Sequence, residues 1–311
     1  MREIGIPAFA KVNLRLDVQG KRPDGYHELR TIFQTVTLHD TLRFRARREP
    51  GIKLQIKGNE QLSSEAVEKN LVYRAVDGLR CELIKESTGK SACATGVEIL
   101  LEKVIPAGRG LGGGSSDAAA ALLGYLQFTG KKIATERLLE IAAGLGADVP
   151  FFLLGGRALG IGKGDEIYPL PDLETLPVLI VSPQNIQVAT PDAYGWLGAR
   201  PLDALTKSAM AHKLNGFCAL CWSAQGSGLS NDFEAAVFQR HPRLGEIRRE
   251  LLQRGASEAL LAGSGSAVFG IFPSPAKARR AAVGFPHDQT FVCETISRRR
   301  YARKMKSAFV V

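Results

Sequence analysis

The sequence holds no uninterrupted apolar run near the ~20 residues a helix needs to cross a bilayer. Its first residues, MREIGIPAFAKVNLRLD, lack the long apolar stretch of a secretory signal. A soluble, cytoplasmic protein without a membrane partner is the expectation. Cysteine is scarce: Cys81, Cys93, Cys218, Cys221 and Cys293. An odd number at irregular spacing makes a poor disulfide framework. Cys218 and Cys221 form a C-x-x-C pair, but the second pair that a structural zinc site needs is missing. Their apolar neighbours favour buried thiols in a reducing compartment. There is no internal repeat and no low-complexity tract. No recognition-helix pattern, zinc finger or aromatic-basic motif accompanies the net charge of +10. Nucleic acid is therefore not an expected partner, whereas small polyanions such as nucleotides suit a basic balance. The arginines and lysines from Arg298 to Lys306 read as a solvated cluster, and removal of residues 298–311 is expected to leave ATP-dependent turnover intact.

A chain of 311 residues suggests two domains. The expected division is 1–165 and 166–311. Residues 11–18, Lys-Val-Asn-Leu-Arg-Leu-Asp-Val, alternate with period two and predict a half-buried strand. Pro23-Asp24-Gly25 is a turn. Residues 29–46, 52–57 and 97–104 are further strand candidates. Asn70 is placed to cap a helix running to about Ile84. Helices are expected from near Ser116, where Asp117 leads into four alanines, and over Thr135–Leu145. The second half offers strands at 178–182, 267–272 and 291–296 and a helix over 246–254. Strands and helices mix without a βαβ rhythm, so the class is α+β.

The strongest single feature is Pro106-Ala107-Gly108-Arg109-Gly110-Leu111-Gly112-Gly113-Gly114-Ser115-Ser116. So many glycines are entropically costly and need a reason. Glycine lets backbone N–H groups approach an anion closely. A helix beginning at once adds unpaired N–H groups and the positive end of its dipole. Ser115 and Ser116 add hydroxyl donors. Together these would cradle a di- or triphosphate. The run is no Walker A loop, since Gly-Lys-Ser/Thr is absent. A dinucleotide fingerprint, Gly108-x-Gly110-x-x-Gly113, lacks the acidic residue expected about 20 positions on. The protein-kinase motifs are absent too.

The run does resemble, residue by residue, the hallmark of the galactokinase, homoserine kinase and mevalonate kinase (GHMP) superfamily. Ala10-Lys11-Val12-Asn13-Leu14 looks like that superfamily's first motif, and Gly263-Ser264-Gly265-Ser266-Ala267 its third. Three further segments, Arg22–Leu29, Gly146–Phe152 and Ser230–Glu234, resemble the branch that phosphorylates a cytidine-diphosphate-tagged methylerythritol in non-mevalonate isoprenoid synthesis. The resemblance implies an N-terminal domain like ribosomal protein S5 and a ferredoxin-like C-terminal domain. It also implies ATP as co-substrate, expected with Mg²⁺, although no carboxylate cluster identifies the ion's ligands.

Roles follow residue by residue. An alcohol needs a group to accept its proton as it attacks. Asp148 matches the family's acidic position; a turn or cap residue before Pro150 is the plain alternative. Asp17, Asp24 and Asp165 are weaker candidates. Lys11 would keep Asp148 ionised and stabilise the transferring phosphoryl group. The resemblance implies ATP contacts for residues 106–116 and for Gly263, Ser264 and Gly265. Asn70 is a candidate for adenine as well as for the cap. For the cytidine substrate it implies Asn13, Tyr26 stacking on the pyrimidine, His27 at its edge, and Tyr194 on its other face. Gly112→Val is expected to weaken ATP binding.

Overall fold

Two β-sheets share an apolar seam. The computed structural model describes residues 3–86, 96–198, 214–215, 217–221 and 228–306. Its strands are β1 (Glu3–Lys21), β2 (His27–Arg47), β3 (Ile52–Lys57), β4 (Gly96–Glu102), β5 (Arg157–Gly162), β6 (Glu166–Pro169), β7 (Pro177–Pro183), β8 (Ser230–Asn231), β9 (Glu258–Leu261), β10 (Val268–Ile271) and β11 (Asp288–Glu294). The first sheet runs β3-β4-β2-β1-β8, with β5 on the other stretch of β2 and β6 beyond it. The second runs β11-β7-β10-β9, antiparallel throughout. Numbered within its own unit that order is 4-1-3-2, with helices in the connections, which is the ferredoxin-like arrangement. The class is α+β. Among the described residues no helix is long and apolar enough to cross a membrane.

The alanine-rich helix Gly113–Thr129 lies on the first sheet, and Ala118 to Ala121 are fully buried. Small side chains let the helix approach closely. At Gly124 an added Cβ would stand 2.5 Å from the Phe44 ring. Helices Leu71–Glu86, Thr135–Leu145 and Val149–Leu154 complete that core. A separate cluster of Val12, Leu14, Ile105, Leu111, Ile180 and Phe269 joins the two sheets.

Four expectations need correction. First, β6 still pairs with β5, so the chain changes sheets between 169 and 177, a few residues beyond the division expected near 165. Second, the alternation over residues 11–18 does not describe one strand face. Asn13 pairs with Phe33 but Arg15 with Ile32, so Leu14 is an extra residue in a bulge. Lys11, Asn13 and then Leu16 line the cleft, while Arg15 and Asp17 form a buried ion pair. The strand is buried on both faces because the second unit covers it.

Third, the helix after the glycine run starts at Gly113, not near Ser116. Gly112 takes φ +70° and its carbonyl accepts from Ser116 N at 2.9 Å. Fourth, the basic tail is not merely solvated. Helix Arg298–Met305 returns to the first core, with Tyr301 and Met305 buried there. The Tyr301 hydroxyl donates to the Phe152 carbonyl at 2.6 Å. Burying such a ring is worth about 1.5–3 kcal/mol, so helix Arg298–Met305 is part of the fold.

Candidate active site

The three glycine-bearing segments and β1 meet around Lys11. Its backbone N–H donates to the Leu111 carbonyl at 3.0 Å, tying the middle of β1 to the loop 106–112. Gly110, at φ +78°, packs against the turn that follows β9. A Cβ there would lie 1.8 Å from the Ala262 carbonyl oxygen, so only glycine permits the contact. The Ala267 N–H donates to the Arg109 carbonyl at 3.2 Å. The Arg109 guanidinium spans to Ser266 Oγ (2.7 Å) and the Gln184 carbonyl (3.0 Å), strapping the loop to the second unit. Asn231 of β8 donates to the carbonyls of Leu261 and Gly263, and Glu234 accepts from Leu261 N–H. The Ser230–Glu234 segment thus holds the third glycine turn against β1.

Between these elements lies a cleft of about 1060 Å³. That is at the upper end of small-molecule sites, room for two ligands rather than one. Its lining includes every residue from Pro106 to Ser115, together with Gly263, Ser264, Asn70, Lys11, Asn13, Asp148, Tyr26, His27 and Tyr194. Two expected residues do not line it. Ser116 points its hydroxyl into the core, because successive helix residues face about 100° apart and Ser115 takes the cleft side. Gly265 sits behind the turn, its N–H bonded to the Ala262 carbonyl.

Lys11 is buried, and its ammonium donates to Asn13 Oδ1 at 2.8 Å. Asp148 Oδ2 lies 3.4 Å from the same nitrogen. Asp148 occupies the position before helix Val149–Leu154, yet its carboxylate caps no N–H of that helix. Pro150 helps explain this, since a proline in the first turn removes one of the donors a cap would serve. The carboxylate instead faces Lys11 and the cleft. The rival carboxylates are engaged elsewhere: Asp17 with Arg15, Asp24 with Arg22 and Tyr26 N–H, and Asp165 with Lys163 N–H.

Asn70 does cap its helix, accepting from Val72 N–H at 2.9 Å, and also borders the cleft. Tyr26 stands exposed at the rim with Lys163 4.7 Å from its ring centre. His27 stacks on Tyr194 at 4.4 Å, nearly parallel. Tyr194, expected to offer a face to the pyrimidine, therefore backs the imidazole in this structure. Burial, aided by Lys21, holds the His27 pKa below its ordinary value, which favours the neutral ring. Burial and the nearby Asp148 charge push the Tyr194 phenol upward, so it keeps its proton.

Sequence reasoning missed one cluster. Lys103 Nζ bonds Asp117 Oδ2 at 2.7 Å and also bonds Asp40. Asp40 accepts from the N–H groups of Val104 and Ile105 as well. All three side chains are buried. Lys103 precedes the glycine loop and Asp117 follows it, so the cluster fixes both ends. A charged residue at the head of an alanine-rich helix was the available signal; its partner 14 residues earlier was not visible in any local pattern.

Gly112 turns out to be a poor probe of phosphate contact. A Cβ there would meet Phe152 at 2.8 Å and Lys11 at 3.1 Å, at a positive φ, so valine would disturb the site without any ligand. Gly114 is cleaner: an added Cβ meets only Leu71 Cδ1, at 3.7 Å. Gly114→Ala should stabilise the free protein by about 0.5–1 kcal/mol as a helix substitution. It should weaken ATP binding on the order of tenfold, because the added methyl holds the phosphate off the backbone N–H at about the cost of one charge-assisted hydrogen bond. Calorimetric titration with ATP beside a thermal melt would read both; unchanged affinity would take Gly114 off the phosphate.

Comparison with known proteins agrees with the two-unit fold. Residues 70–156 match the model of the GHMP kinases N terminal domain, and 214–287 that of the GHMP kinases C terminal domain. A 4-diphosphocytidyl-2-C-methyl-D-erythritol kinase of Solibacter usitatus is 43% identical over 96% of this chain and 91% of its own. Its namesake in Citrifermentans bemidjiense is 40% identical, covering 91% and 94%. A crystal structure of a 4-(cytidine 5'-diphospho)-2C-methyl-D-erythritol kinase superposes with a TM-score of 0.72 at 35% identity, covering 94% and 99%. Homoserine kinase from Cytophaga hutchinsonii shares the fold at a TM-score of 0.71 and 21% identity, covering 96% and 95%.

Proposed function

The chain belongs to the GHMP kinases, and we propose that it transfers the γ-phosphate of ATP to the 2-hydroxyl of 4-diphosphocytidyl-2-C-methyl-D-erythritol. The observation that most supports the assignment of roles is the Lys11–Asp148 pair facing the glycine cradle across one cleft. The nucleotide lies with its phosphates along residues 106–115 and the N-terminus of helix Gly113–Thr129. Asn70 borders the adenine end. At the other end the pyrimidine stacks on Tyr26 and pairs at its edge with His27, while Asn13 meets the acceptor. Tyr194 holds the imidazole from behind.

In the transfer Asp148 accepts the proton of the attacking hydroxyl. Lys11, 3.4 Å from the Asp148 carboxylate, offsets charge on the moving phosphoryl group. Mg²⁺ bound with the nucleotide would neutralise charge between phosphate oxygens. Among the described residues no three His, Cys, Asp or Glu side chains converge. Mg²⁺ at phosphate sites commonly takes only one or two protein oxygens. Ser115 is the residue that would hold it: an added Cβ at Gly146 lies 3.9 Å from Ser115 Oγ, so that hydroxyl lines the cleft beside the turn that carries Asp148.

The acceptor is tested by competition. With ATP in excess, kcat/KM should be highest for the cytidine-tagged alcohol and far lower for mevalonate and homoserine. Preference for either of those two would overturn the assignment.

A further inference from the structure

We propose that Thr31 is a positioning residue for the transfer, setting the side-chain amide of Asn13 so that its oxygen, and not its NH₂, meets the Lys11 ammonium. The proposal rests on the roles given above to Lys11 and Asp148.

The geometry begins with the bulge at Leu14. Without it, Thr31 of β2 would lie opposite a different residue of β1. With it, Thr31 pairs with Leu16, Phe33 with Asn13, and Thr35 with Lys11. Cross-strand partners share a face, and Lys11, Asn13, Leu16, Thr31 and Phe33 all line the cleft. Thr31 is then diagonal to Asn13, within reach of its amide.

A hydroxyl has one proton to give. Thr31 gives its proton to the Arg15 carbonyl, just past the bulge, at 2.8 Å. Toward Asn13 it can therefore only accept, and Asn13 Nδ2 donates to Thr31 Oγ1 at 2.7 Å. That orientation leaves Asn13 Oδ1 pointing the other way, where Lys11 Nζ donates to it at 2.8 Å. An ammonium has no acceptor to offer. A flipped amide would set NH₂ against NH₃⁺ in a buried site, where such a mismatch is expensive. The run from the Arg15 carbonyl through Thr31, Asn13 and Lys11 to Asp148 thus has a single direction, and Thr31 sets it. All four side chains but Asp148 are buried. Water is poorly placed to substitute for the hydroxyl.

The test compares Thr31→Val, Thr31→Ser, Asn13→Ala and the Asn13→Ala/Thr31→Val double variant in the full chain. ATP and the cytidine-tagged alcohol are the substrates, and Asp148→Asn is the control. Thr31→Val should lower kcat about tenfold, the scale of one hydrogen bond to a charged group, with KM for ATP unchanged. Thr31→Ser keeps the hydroxyl and should restore kcat. In the Asn13→Ala background Thr31→Val should lower kcat no further, because there is no amide left to orient. A wild-type kcat in Thr31→Val, a Thr31→Ser variant as slow as Thr31→Val, or full additivity of the two losses would each overturn the proposal. In those cases an active wild type and an inactive Asp148→Asn leave the kinase reading standing. A wild type without turnover of this acceptor overturns both.

Discussion

Asp148→Asn should lower kcat on the order of 10²-fold or more while ATP affinity stays near wild type, as loss of a general base predicts. The substitution is close to isosteric, and the surroundings tolerate it. The Asp148 side chain caps no helix N–H, so no structural hydrogen bond is lost there. An asparagine oxygen can still accept from Lys11 across the 3.4 Å gap. What disappears is the ability to take a proton from the acceptor alcohol and the charge that pairs with a buried ammonium. The phosphate cradle lies on other residues, so nucleotide binding reports separately from turnover. Single-turnover rates beside calorimetric ATP titration make that separation. Near-normal turnover would remove Asp148 from the role, and a parallel loss of ATP affinity would make it a nucleotide ligand instead.

Lys103→Met should destabilise the fold by about 3–5 kcal/mol, the penalty for leaving buried charge without its partner. Two carboxylates, Asp40 and Asp117, would then face each other in the core with no cation between them. Asp117 already sits well above the ordinary carboxylate range, through burial first and then the neighbouring Asp40 charge. Burial opposes the Lys103 charge, but the two carboxylates outweigh it and raise its pKa. The pH dependence has a definite sign. A carboxyl whose folded pKa is raised binds its proton more readily folded than unfolded, so its contribution to stability grows as pH falls through the folded value. The deficit of Lys103→Met should therefore shrink as pH is lowered. Urea unfolding across pH measures it. A deficit independent of pH would mean that cavity and packing effects, not uncompensated charge, carry the loss. Because the cluster pins both ends of the glycine loop, KM for ATP should rise in the folded fraction as well.

Much of this was legible in the chain. A glycine run that leads straight into an alanine-rich helix announces its helix and its cradle through local chemistry alone. Helix Thr135–Leu145 fell on its amphipathic pattern and closed at Gly146 as expected. Lys11 and Asp148 could be named by motif, but their meeting depends on β1 and helix Val149–Leu154 folding onto the same cleft. What stayed hidden was non-local. A one-residue bulge at Leu14 leaves no mark in hydrophobic alternation, yet it decides that Asn13 and Thr31 meet and that Arg15 turns away. The basic residues of helix Arg298–Met305 masked the few that matter to the core, Tyr301 and Met305. The Lys103 cluster joins three segments whose separations follow no period.

The central claim is one cleft that carries a phosphoryl group from ATP to a cytidine-tagged alcohol. Phosphorus NMR of the reaction with ATP and 4-diphosphocytidyl-2-C-methyl-D-erythritol tests it most directly. The account predicts one new phosphomonoester, coupled to the carbon bearing the 2-hydroxyl, with the acceptor's diphosphate bridge intact and one ADP formed for each. ADP formed without that monoester, or phosphate attached at any other position, would contradict it.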